Sequence, residues 1–172
     1  MAEYIIEFGP NAKEADVSAH SIAVLKKVME TAKVFKVKIT STARDAYDQA
    51  RVMYDNIVSQ GVAAQKKLYA AAGDAVIDVY VAATKDKKVK NDRNAIISLM
   101  KAKILALGPT KVSNHAVDVS VMNVFDVAPS SIPKASKKDW ESAIKSNTGI
   151  KRYIFPPTDP GYHFEILQPK ST

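Results

Sequence analysis

The chain has three histidines, His20, His115 and His163, and no cysteine. Thiolate metal sites, cysteine nucleophiles and disulfides are excluded together, so any bound metal must be held by His, Asp or Glu. The most informative segment is the last apolar one, Gly161-Tyr162-His163-Phe164-Glu165-Ile166. As a strand, it sends Tyr162, Phe164 and Ile166 to one face and His163 with Glu165 to the other. A histidine beside a carboxylate on a rigid strand suits a metal or acid-base site. The same pattern also suits the exposed polar face of an edge strand. Asp126 lies in Met122-Asn123-Val124-Phe125-Asp126-Val127-Ala128, a run that is otherwise almost wholly apolar. An ionised carboxylate buried there is costly unless a cation or hydrogen-bond donors compensate. Asp126 is therefore either a paired structural group or a functional one. His115 follows the Gly108-Pro109 break, in Ser113-Asn114-His115-Ala116-Val117-Asp118. Two histidines and one carboxylate, with a position left open for water, can make a catalytic zinc site. His20 falls near a helix start and reads as a surface or capping residue.

The elements that must hold these residues follow from apolar spacing. Asp16-Val17-Ser18 precedes Ile22, Leu25, Val28 and Met29, which predicts a helix capped near Ser18 and ending near Lys33. Residues 34–39 alternate apolar and basic side chains as a half-buried strand does. Ser41-Thr42-Ala43-Arg44 then turns into a helix over about 46–59, stopped by Gly61. Residues 63–84 are alanine-rich and read as helix, although 76–81 also fit a strand. A further helix spans 91–107, with Ile97, Met100, Ile104 and Leu107 on one stripe. Beyond residue 111 short elements dominate: strands at 122–127, 151–155 and 162–167, and a helix near 136–145. Helices thus come first and strands late. The expected class is α+β, a single domain over 1–172 with helices packed on a small, mainly antiparallel sheet.

Composition limits the partners. With 47% hydrophobic and 25% charged residues in 172, the chain has the balance of an ordinary soluble globular protein. No apolar run is long enough to span a membrane. The start, Met1-Ala2-Glu3-Tyr4-Ile5-Ile6-Glu7, lacks the basic and apolar regions of a secretory signal. A net charge of +7 favours acidic partners such as nucleic acid, anionic lipid or the bacterial envelope, and equally suits a small basic protein without such a partner. The run Lys85-Asp86-Lys87-Lys88-Val89-Lys90 reads as a solvated loop. Basic-aromatic interleaving of the base-stacking kind is lacking, so no nucleic-acid partner is expected.

Taken in order, these segments resemble the zinc peptidases of the D-Ala-D-Ala carboxypeptidase type, which share a fold with the hedgehog signalling domain. That family carries a Ser-x-His opening, an Ala-x-Asp-like strand and a late x-His-x-Glu strand. The corresponding residues are Ser113-Asn114-His115, Val124-Phe125-Asp126 and Tyr162-His163-Phe164-Glu165. Upstream, a strand leads into Ser-x-x-Arg and then a polar residue, here Ser41-Thr42-Ala43-Arg44 and Gln49. The resemblance implies one zinc held by His115, Asp126 and His163. It further implies substrate binding by Ser41, Arg44 and Gln49, Arg44 taking a substrate carboxylate bidentately. The implied reaction is hydrolysis of a peptide bond in peptidoglycan. The implied setting is a phage endolysin-like lysis enzyme, made in the cytoplasm without a signal peptide, acting on the wall after release, and expected as a monomer.

Two departures from the family pattern matter. Ten residues separate His115 from Asp126, more than the family places between its metal His and Asp. Asp126 is favoured because a strand fixes a ligand better than a loop does, and Asp118 is the alternative ligand. The family's general base stands just before the last His, at the place occupied by Pro160, with Asp159 one residue further back. A bulge at Gly161 can re-aim Asp159. Asp159 is the expected base, and Glu165 the second catalytic carboxylate, supporting a ligand or the base. Without a competent base, the same fold would be an inactive wall-binding or virion component.

Overall fold

The computed structural model describes residues 3–170. Its contacts group the chain into two compact units, one from Met1–Ala43 with Val117–Thr172 and the other from Arg44–Ala116. No linker marks this division in the sequence. Among the described residues there are seven α-helices and five strands, an α+β fold.

The first unit is a sheet with helices on one face. Ser18 accepts a hydrogen bond from the Ser21 N–H and caps α1 (Ala19–Ala32), and Lys33 closes it in the left-handed conformation at φ 54°. The strands are β1 (Ile5–Phe8), β2 (Lys36–Ser41), β3 (Met122–Val127), β4 (Arg152–Ile154) and β5 (Tyr162–Leu167), in the order β1-β2-β3-β5-β4. β1 runs parallel to β2 and all other pairs are antiparallel, so the sheet is mixed. On one face Val37, Ile39, Phe125, Val127, Phe164 and Ile166 pack with Leu25 and Met29 of α1 and with Trp140 and Ile144 of the last helix, Lys137–Ser146. Phe125 and Phe164 stack at 5.2 Å, and Trp140 meets Phe164 edge-on. Each such fully buried side chain contributes about 1.5–3 kcal/mol relative to exposure.

The second unit is helical: α2 (Ala46–Gln60), α3 (Val62–Leu68), α4 (Ala71–Ala83), α5 (Arg93–Leu107) and α6 (Pro109–Val112), followed by a 3-10 turn at Asn114–Ala116. The last helix of the first unit is α7. Asp45 and Asp92 cap α2 and α5 through their carboxylates. Ala50, Met53, Ile57, Ile77, Ile97, Met100 and Ile104 form the core of this unit.

Several expectations need correction. The helix over 63–84 is two helices, broken where Tyr69 and Ala70 adopt extended backbone. Tyr69 lies so close over Gly73 that a Cβ there would be 2.5 Å away. Residues 76–81 are helix and not strand, because burial at Gly73, Val76, Ile77 and Ala83 follows a helical spacing. The strand expected at 34–39 lies at Lys36–Ser41, and β1 at Ile5–Phe8 was not anticipated. Strands therefore do not cluster late: two of the five precede residue 42. β5 is not an edge strand, since β4 flanks it, and this removes the exposed-edge explanation of its His and Glu.

Candidate metal centre

The centre grows out of strand register. β3 and β5 pair so that Asp126 stands opposite His163 and Val124 opposite Glu165. Opposed residues of antiparallel strands project from the same face. With Phe125, Val127, Phe164 and Ile166 committed to the helical core, Asp126, His163 and Glu165 share the other face. β4 adds Arg152, which pairs in register with Glu165. On β2 the register shifts between Ile39 and Ser41, and the bulge sets Ser41 opposite Asp126.

The three acid-base groups are bonded to one another. His163 Nδ1 lies 2.9 Å from Asp126 Oδ1, and Nε2 lies 3.2 Å from Glu165 Oε1. The Arg152 guanidinium donates to the same Glu165 oxygen at 3.2 Å. Asp126 is 7% exposed, His163 6% and Glu165 1%. Burial by itself lowers the His163 pKa, but the hydrogen bonds to Asp126 and Glu165 and the charges of Asp126 and Asp159 outweigh it, raising it from 6.5 to about 9. Without a metal, His163 is an imidazolium clamped between two carboxylates. Two carboxylates thus hold the His163 ring, and Arg152 holds one of them.

His115 is buried in the turn Asn114–Ala116. Its N–H donates to Ser113 Oγ at 3.3 Å and its carbonyl accepts from the Arg44 N–H at 2.9 Å. One ligand atom each from His115, Asp126 and His163 lies within 4.8 Å of the others. Donors around a tetrahedral zinc at about 2.0–2.2 Å stand roughly 3.4 Å apart, within the 4.8 Å limit of this group. Two nitrogens and one carboxylate oxygen are a donor set that suits a divalent cation such as zinc. Asp118, the alternative ligand, is exposed, lies outside this group, and accepts from the Ser120 N–H at 2.8 Å and the Ser120 hydroxyl at 2.7 Å. Those bonds, hydroxyl first, hold its pKa below the ordinary carboxylate value.

Asp159 is half-buried and its Oδ1 accepts from the Gly161 N–H at 2.9 Å. A Cβ on Gly161 would approach Asp126 Cβ to 3.2 Å and Asp159 Oδ1 to 3.8 Å, so this glycine sits between the two carboxylates with little room to spare. In the second unit, Arg44 donates to Gln49 Oε1 at 3.4 Å, and Gln49, itself buried, donates to the Tyr69 hydroxyl at 3.1 Å. His20 is exposed on α1. Arg152 and Tyr69 escaped sequence reasoning. Arg152 lay in a segment read as a strand, but only cross-strand register links it to Glu165. Searches against protein-family models, curated proteins and solved structures gave no match for this chain.

Proposed function

We propose that the chain is a zinc-dependent peptidase that hydrolyses a peptide bond in the stem or cross-link peptides of bacterial peptidoglycan, in the service of cell-wall lysis. The observation that carries this reading is the buried His115, Asp126 and His163 group, with ligand atoms within 4.8 Å of one another. The order of motifs along the chain supports it. Zinc held by these three residues would act as a Lewis acid at the scissile carbonyl and lower the pKa of water toward about 7.

The remaining work belongs to the chain. Ligation would use one ring nitrogen of His163, so one of its two carboxylate hydrogen bonds, to Asp126 or to Glu165, would give way while the other orients the ring, and Arg152 holds Glu165. Loading the metal requires a neutral His163, so it releases a proton. Asp159, oriented by the Gly161 N–H, accepts the proton of the attacking water at its carboxylate and returns it to the leaving amine. Arg44 presents a planar guanidinium to a substrate carboxylate.

A second reading has one observation in its favour. Both ring nitrogens of His163 already have carboxylate partners, so the cluster can serve as a structural ion-pair network in an inactive wall-binding or virion component. Metal analysis of the purified chain, with release of peptides from isolated peptidoglycan, separates the two. About one zinc per chain with hydrolysis is the expected result. Zinc without hydrolysis favours the wall-binding component, and a chain without zinc makes the network structural.

A further inference from the structure

Along β2 the apolar positions Val37 and Ile39 enter the helical core while Lys36 and Lys38 are exposed. Alternation therefore places both lysines on the sheet face that carries Asp126 and His163. Where β2 begins, a hollow of about 500 Å³ opens, bordered by Lys33, Phe35, Lys36, Lys38, Ser131 and Pro133, with Glu7 its one acidic residue. Glu7 is bound by the Lys36 ammonium at 2.7 Å. Three lysines against one glutamate leave two positive charges in surplus. Phe35 is 51% exposed and lies flat against Tyr4, ring centroids 5.7 Å apart and planes inclined by 13°. Lys33 occupies a left-handed position at φ 54°, where glycine or asparagine is the usual choice.

We propose that this hollow is an accessory binding subsite for a carboxylate-bearing glycan-peptide strand of the wall. The assignment rests on the peptidoglycan reading above. Lys33 and Lys38 take carboxylates, and the ring of Phe35 offers an apolar face to a sugar. Lys38 precedes Ser41, the register partner of Asp126, by three residues, or about 10 Å of strand. A strand gripped here can therefore continue along the same face toward the metal centre. Nucleic acid shares the anionic character, but only the wall polymer brings a scissile peptide along with its charge.

The test is co-sedimentation of the full chain with insoluble purified peptidoglycan at several salt concentrations. The Lys33→Gln/Lys38→Gln variant is compared with Lys87→Gln/Lys88→Gln, which removes the same charge from an exposed loop of the second unit. The first variant is expected to bind about tenfold more weakly, in line with two exposed ion pairs. The second is expected to bind like the wild type, with zinc content and melting temperature unchanged in both. Equal losses in the two variants, or none in either, overturn the subsite. So does a single-stranded oligonucleotide that binds more tightly than the wall and loses its binding in the first variant. A wild type that fails to hydrolyse the wall while the difference between variants persists sinks the peptidase reading and supports the subsite.

Discussion

In the metal-free chain the energetics of the His163 clamp are open to direct measurement. In the folded chain His163 is raised from 6.5 to about 9, because the bonds to Asp126 and Glu165 outweigh its burial. A raised folded pKa contributes stability that is complete below the unfolded value and is lost as pH climbs through the folded one. Between pH 6.5 and about 9 the folded state holds one proton more than the unfolded state. Stability should then fall by about 1.4 kcal/mol per pH unit, or about 3 kcal/mol over the window. Urea unfolding at pH 6, 8 and 10 measures this, with His163→Gln as the reference so that other titrating groups cancel. Asp126→Asn, which removes the closer partner, should flatten the dependence. The reasoning fails if the wild type and His163→Gln lose stability in parallel, to within the error of extrapolation.

His115→Ala and His163→Ala are each expected to abolish zinc binding and hydrolysis, while His20→Ala, exposed on α1, leaves both intact; metal analysis of the three proteins decides it. Asp126→Ala should lose zinc and Asp118→Ala should keep most of it, and the opposite pattern would return the third ligand to the loop. Asp159→Asn should keep zinc and fold yet lose about a hundredfold or more in turnover, whereas Glu165→Gln should lose about ten- to a hundredfold. Normal cleavage by Asp159→Asn with a dead Glu165→Gln would make the strand glutamate the base. Gly161→Ala places a methyl 3.2 Å from Asp126 Cβ, so competition titration should show weaker zinc binding with little change in melting temperature.

Much of this was legible because local signals and tertiary demands agreed. The run 162–167 alternated and the run 122–127 was almost wholly apolar, and they emerged as β5 and β3 with those limits. A carboxylate in an apolar run flagged Asp126 before any partner was known. What stayed hidden depends on pairing. Arg152 gains its role only through register with Glu165, and register is not written in either segment alone. β1 has four residues and a half-exposed pattern, too short for periodicity to stand out. At the break between α3 and α4 Tyr69 packs on Gly73, a contact that helix propensity does not report.

The β3–β5 register has a consequence for how the chain can fail. Sliding β5 by one residue against β3 would bring Tyr162 or Phe164 opposite Asp126 and turn His163 and Glu165 inward toward Trp140. The aromatic side chains would leave their core and two ionisable groups would enter it, while Asp126 lost its counter-charge. The same alternation that fills the core thus guards the Asp126–His163–Glu165 cluster, so a mis-slipped sheet is penalised twice over. One inserted residue within 162–167 is then far more damaging to the sheet than one within 155–158, where the extra length can be taken up outside the ladder and before the Asp159–Gly161 turn.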